Sequence, residues 1–329
     1  MIARYARLCL DMLRYRVAAM IWTFLLLGAA SFDGLAALDA RYAWAALALA
    51  GSYVAATTVN DIADRDIDLV NHPRDRGRPL VAGTATVGDL VAVHAVGATV
   101  ALLSAGVVGR AASAIVVASL LVGYVYSLGP IRLSYRTYLA PLALGVAYVA
   151  MPFSLGLVVA GGDGIRGDVA LLAAALYALF VARITLKDFR DREGDARYGK
   201  PTLLLRFGKS ATCVVSFAAL VAGNVMLVLA LRPALLFGIL LEGFVAAIAA
   251  MLHTLWRASD ARSEQVAIGL GAQLGNGLLL LVLGWLALGG RGATEAERGV
   301  FAATITVLFA SNWLVLRARP DEAVIGYKG

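Results

Sequence analysis

The chain has 329 residues, 60% of them hydrophobic and 16% charged, with a mean hydropathy of +0.79. A soluble domain is roughly 45–50% apolar and about 25% charged, so this composition excludes disorder and argues against a water-soluble enzyme. The net charge of +7 would suggest nucleic acid in a soluble protein; in a chain this apolar it asks which side of a bilayer the cations occupy, and no nucleic-acid partner is expected.

A membrane helix takes roughly 20 mostly apolar residues. In chain order ten stretches qualify: 17–38, 43–60, 88–109, 111–129, 138–160, 168–187, 210–231, 233–256, 264–289 and 297–317. The expected fold is all-α, a polytopic bundle forming one domain over 1–329, with no Pro/Ser-rich linker dividing it. The first stretch is too long for a removable signal peptide and reads as a span. With the N-terminus in the cytoplasm, 22 Lys and Arg fall in inside segments, 6 fall in outside loops, and Arg183 lies within a span. That asymmetry predicts both termini and the loops after the even-numbered spans inside. Cys9 and Cys213 lack metal or disulfide spacing, and His72, His94 and His253 are too scattered for a His-rich metal site.

Two inside loops are acidic. After the second span comes Asn60-Asp61-Ile62-Ala63-Asp64-Arg65-Asp66-Ile67-Asp68, and after the sixth Lys187-Asp188-Phe189-Arg190-Asp191-Arg192-Glu193-Gly194-Asp195. Asp61, Asp64 and Asp68 stand at i, i+3 and i+7, and Asp188, Asp191 and Asp195 repeat that spacing. On a continuous helix each triad would share one face. Like charges so placed repel, and carboxylates next to lipid are costly. A hard divalent cation relieves both, and Mg²⁺ takes carboxylate and phosphate oxygens. Cations accompany each triad: Arg74, Arg76 and Arg78 after the first, Arg197, Lys200 and Arg206 after the second, and Arg132 and Arg136 in the loop between. Arg offers phosphate a bidentate fork and Lys a point charge. Acids for metal and bases for phosphate at one membrane face describe a metal–diphosphate site.

At these residues the sequence resembles the UbiA-type intramembrane prenyltransferases. Asn60, Asp61, Asp64 and Asp68 match that family's N-D-x-x-D-x-x-x-D motif, and Asp188, Asp191 and Asp195 its D-x-x-D-x-x-x-D motif. Tyr126…Pro130-x-Arg132-Leu133 and Gly199-Lys200-x-Thr202-Leu203 resemble its other cytoplasmic stretches, and the likeness covers roughly residues 10–290. The resemblance implies a helical bundle around a central cavity, capped by the acidic loops on the cytoplasmic side and open laterally to membrane lipid. It implies an isoprenyl diphosphate and a small acceptor as substrates, with Mg²⁺ as cofactor. Asn60, Asp64, Asp191 and Asp195 become the foremost metal ligands, with Asp61, Asp68 and Asp188 as ligands or as groups supporting them, and Asp64 and Asp191 lead in catalysis. Lys187, Arg78, Arg132, Lys200 and Tyr126 become substrate contacts, while Tyr53, Tyr148 and Phe153 are aromatics that could face the cation or the tail. Arg14 and Arg16 either pair with an acidic acceptor or mark the membrane boundary. Family members typically have nine spans, so about 296–317 reads as an extra terminal helix.

Two alternatives stand beside transfer. A terpene cyclase of the same type would trap the allylic cation with the substrate's own double bonds. A transporter for Mg²⁺ or an anionic lipid would need acids along the membrane depth, and Glu242 is the only acid deep in an apolar stretch.

Overall fold

The computed structural model describes residues 2–73, 75, 77–162 and 166–322; Arg74, Arg76 and Lys328 lie outside the described residues. The helices are α1 (Ile2–Leu13), α2 (Tyr15–Asp33), α3 (Ala40–Ala63), α4 (Arg65–Asn71), α5 (Val87–Val108), α6 (Arg110–Ser127), α7 (Leu139–Gly145), α8 (Met151–Val159), α9 (Gly167–Ile184), α10 (Asp188–Arg197), α11 (Leu203–Leu231), α12 (Leu235–Arg257), α13 (Ala261–Gly290) and α14 (Glu295–Ala318). Among the described residues ten helical runs are long and apolar enough to cross a membrane, one for each stretch expected from the sequence. The fifth is α7 and α8 joined by a π-helical turn at Val146–Ala150, and the sixth is α9 continued through a 3₁₀ turn into α10.

Local chemistry sets the ends. Thr86 and Thr294 each form a capping box, with Asp89 and Glu297 respectively. Asp39, Thr202 and Asp260 cap α3, α11 and α13. Arg14 sits at φ 44° and separates α1 from α2. The sequence does not announce α1 as an element, because it is short and amphipathic. It buries Leu8 and Met12 against Val54, Leu90 and Val93, and Arg4 and Tyr5 bind Asp89 at 2.7 and 3.1 Å.

Lipid is as apolar as a leucine side chain, so these helices gain little by hiding apolar surface from it, and close packing holds them. Two glycine contacts allow that. Gly28 of α2 lies against the Phe153 carbonyl oxygen of α8, and Gly156 of α8 against the Leu25 carbonyl oxygen of α2, so a Cβ at either would overlap backbone. On the other side Gly51 of α3 and Gly97 of α5 meet in the same way, with a Cβ on Gly51 falling 2.6 Å from the Gly97 oxygen. Leu103, Val214 and Leu235 project outward, as lipid-facing residues should.

The bundle encloses a cavity of about 540 Å³ whose walls come from α2, α3, α6, the α7–α8 span, α9 and α13. The short helices α4 and α10 pack across one end. Asn71 at the end of α4 accepts the Gly194 N–H of α10 at 2.6 Å. A Cβ on Gly194 would lie 2.6 Å from the Ile67 carbonyl oxygen, so only glycine permits this approach. Spans two and six run in the same sense, and this contact joins the ends that carry the two acidic motifs.

Candidate active site

The i, i+3, i+7 spacing predicts three carboxylates on one face in each motif. The structure divides them. The first motif is interrupted at Asp64, which leaves helical geometry (φ −106°, ψ 16°) between α3 and α4. Asp64 and Asp68 line the cavity with Asn60, while Asp61 does not. Asp61 turns to Arg14, whose Nη2 reaches its two oxygens at 2.8 and 3.0 Å. In the second motif Asp191 and Asp195 line the cavity; Asp188 is buried at the start of α10 but is not part of the lining. Asp61 and Asp188 thus stand outside the cavity lining, while Asn60, Asp64, Asp68, Asp191 and Asp195 belong to it.

The cavity-lining carboxylates are held by cations from four segments. Arg78 pairs with Asp68 and stands 3.6 Å from Asp61. Arg132 and Lys200 bind opposite oxygens of Asp64 at 3.1 and 3.3 Å, and Asn60 donates to it at 3.3 Å. Lys200 also lies 3.6 Å from Asp195 Oδ1, an oxygen with no hydrogen-bond partner. Arg190 approaches Asp191 at 3.3 Å. Lys187 donates to the Tyr126 hydroxyl at 3.2 Å, and both line the cavity with Arg78 and Lys200. Arg132 sits behind Asp64 and does not line it.

His72 is the residue the sequence reading sets aside. Its Nε2 meets Asp191 Oδ1 at 2.9 Å and bridges the two motifs. Burial holds the imidazole below its ordinary pKa despite the facing carboxylate, so near neutral pH it is uncharged and donates Nε2–H. A lone histidine after an acidic run gives no hint of this contact, which depends on how α4 and α10 meet. Burial pushes the Asp68 carboxyl up to about 7, against the pull of Arg78. Burial and the nearby Lys187 would lower Lys200, but Asp64 and Asp195 outweigh them and hold it above the usual ammonium range.

Deeper in the cavity the wall is aromatic. Tyr53, Tyr148 and Phe180 form an edge-to-face row with centroids 5.9 and 5.7 Å apart. Tyr148 sits in the π-helical turn, a deviation often found at functional sites. Phe153 instead packs in the interior, 1% exposed, and does not line the cavity.

The donor set tests the site for a metal. Asn60, Asp64, Asp68, Asp191 and Asp195 offer oxygen only, which suits a hard cation. Asp195 Oδ1, buried without a hydrogen bond, is the kind of acceptor a cation would satisfy. Among the described residues no three Asp, Glu, His or Cys side chains stand at metal-binding spacing, and the cavity-lining acids are paired with cations instead. The residues therefore fit Mg²⁺ in chemistry, and a metal would take over charge now balanced by Arg78, Arg132 and Lys200.

A ten-span helical bundle with paired acidic motifs at one end of a cavity defines a class of membrane protein, and comparisons place it. The model of the UbiA prenyltransferase family matches residues 17–276, so the chain belongs to that family. The chlorophyll synthase of Arabidopsis thaliana is 30% identical over 159 residues, covering 46% of this chain and 40% of that protein. The digeranylgeranylglyceryl phosphate synthase of Methanoculleus marisnigri is 32% identical over 161 residues, covering 49% and 54%. The chain thus spans about half the length of the relatives it matches. Among solved structures, one from a study of digeranylgeranylglyceryl phosphate synthase superposes with a TM-score of 0.65 at 18% identity, over 86% of this chain and 99% of that one. A UbiA homologue from Archaeoglobus fulgidus bound to GPP and Mg²⁺ gives 0.56 at 16% identity, over 94% and 99%. The structures show the shared fold, and the family is that of a multi-pass integral membrane protein.

Proposed function

We propose that this protein is an integral membrane prenyltransferase that uses Mg²⁺ and an isoprenyl diphosphate to prenylate a small acceptor. The observation that carries the reading is the convergence of both acidic motifs, through α4 and α10, on the cation-lined end of one cavity. The family's name favours transfer over acceptor-free cyclisation. A transport path would need acids through the membrane, and the one deep acid, Glu242, is engaged by Asn224 at 3.0 Å on the outer surface of α11 and α12.

Lys187, Arg78 and Lys200 receive the diphosphate, and Asn60, Asp64, Asp68, Asp191 and Asp195 hold the metal. Asp61 and Asp188 support them, the first by fixing Arg14 and Arg78. His72 orients Asp191, and Arg132 orients Asp64. When bound, Mg²⁺ supplies Lewis-acid neutralisation of the departing diphosphate. The allylic C–O bond breaks with its electron pair leaving on diphosphate, and Lys187 and Arg78 offset the growing charge. Tyr53, Tyr148 and Phe180 present π faces toward the electron-poor carbon and keep water from it. The acceptor then forms the new bond to that carbon and releases its proton. We place the acidic end of the cavity on the cytoplasmic side, as the Lys and Arg distribution requires.

The test is incubation of purified protein with Mg²⁺ and isoprenyl diphosphates of several lengths, with and without acceptors. Prenylated product that depends on acceptor supports the reading; cyclic hydrocarbon formed without acceptor would replace it with the cyclase.

A further inference from the structure

Arg136 and Arg206, cations the sequence places near the acidic motifs, do not line the cavity and face outward. Neither forms an ion pair among the described residues. Arg136 Nε donates to the Ile131 carbonyl at 3.4 Å, and the Arg206 guanidinium lies 5.5 Å from the centroid of the Phe207 ring. Arg136 has extended backbone (φ −110°, ψ 101°) and Thr137 is buried behind it, so Arg136 and Tyr138 project to the same outer side. Tyr138 lies over Phe207 with centroids 5.8 Å and planes 30° apart, and both rings are exposed. A cation therefore stands at each end of an exposed aromatic pair. The frame beneath is braced. Thr137 donates to the Pro201 carbonyl at 2.6 Å, and Arg132 and Lys200, from the same two segments, grip opposite oxygens of Asp64. The fifth span begins at Leu139, and Leu139 and Leu142 are exposed on the face next to Tyr138. Tyrosine is enriched at the headgroup level of a bilayer, so headgroup and acyl chain meet at this strip. Guanidinium groups without acidic partners suit a phosphate, which takes arginine bidentately, and the leucines suit an acyl chain. A zwitterionic headgroup carries its own cation to the phosphate; an anionic one does not.

We propose that Arg136, Tyr138, Arg206 and Phe207 form a binding site for an anionic phospholipid, with its phosphate on the two guanidinium groups and an acyl chain along Leu139 and Leu142. The site lies on the outer side of the segments that supply Arg132 and Lys200. It is separate from the cavity and stands whether or not the cavity performs prenyl transfer.

The test is lipid binding to purified full-length protein, stripped of lipid in detergent and titrated with dioleoylphosphatidylglycerol or dioleoylphosphatidylcholine, with bound lipids counted by native mass spectrometry. Wild type is expected to bind phosphatidylglycerol more tightly than phosphatidylcholine. R136Q/R206Q should weaken phosphatidylglycerol by about 30-fold, the loss of two cations near an anionic lipid, and leave phosphatidylcholine unchanged. R136K/R206K should retain most of the affinity. If the double Gln variant does not yield folded protein, R136Q and R206Q singly carry the same readout, each with a loss of about 5-fold. R7Q/R257Q removes two other exposed cations and should bind as wild type does. Equal weakening in the two double Gln variants would mean a general positive surface and would overturn the proposal, as would wild-type affinity in R136Q/R206Q. Excess inorganic phosphate, against chloride at the same ionic strength, should leave the lipid bound; displacement by phosphate would assign the two arginines to a soluble anion and overturn the lipid assignment.

Discussion

Asp64 joins the acidic motifs to the basic loops: it takes Asn60 from α3, Arg132 from the segment after α6 and Lys200 from the segment after α10. Asp191 does the same through His72 and Arg190. Each is proposed to give an oxygen to the metal, so D64A and D191A are each expected to lower prenyl transfer by about 10²–10³-fold. H72A removes only the group that orients Asp191 and should cost about 10–100-fold, mainly as weakened Mg²⁺ dependence. A magnesium titration of each variant checks both. The acidic motifs are legible in the sequence because repeated spacing at two span ends has few other physical meanings. His72 is not, since it is a lone polar residue whose partner, Asp191, lies on a helix distant in sequence. The division of the first triad is equally hidden: it follows from the non-helical backbone at Asp64, which a helical periodicity argument does not contain.

At the scale of elements, the site depends on α4 meeting α10 at Gly194. G194V places two methyl groups against the Ile67 carbonyl and Asn71, and must push the two motifs apart. A displacement of about 1 Å can cost about 100-fold, so G194V is expected to lose most transfer activity while its helical circular dichroism stays that of wild type. A full melt of the bundle would show instead that this glycine serves folding alone. The ten spans are legible because length and apolarity suffice to define a membrane helix. The amphipathic α1 is not, because its apolar residues acquire meaning only once α3 and α5 are there to receive them. The last helix, α14, falls outside the residues matched by the family model and packs on α13, with Phe301 against Gly284 and Phe309 against Gly277.

At the scale of the whole molecule, net charge and local charge have opposite signs. The chain carries +7 overall, yet the site is built on carboxylates, and the surplus cations both mark the membrane face and hold those acids. The orientation has a direct check. In protein with Cys9 and Cys213 replaced by Ser, R232C should react with a membrane-impermeant maleimide on intact cells, and R136C only after permeabilisation; the reverse pattern would put the acidic end of the cavity outside. The proposed function turns on one chemical event, metal-dependent cleavage of the allylic diphosphate at the joined motifs. Its most direct measurement is prenylated product and diphosphate release by purified protein supplied with isoprenyl diphosphate and acceptor, before and after removal of divalent metal with EDTA. Turnover is expected with Mg²⁺, none after chelation, restoration when Mg²⁺ is returned, and failure of that restoration in D64A and D191A. Turnover that survives chelation, or full restoration in either variant, would contradict it.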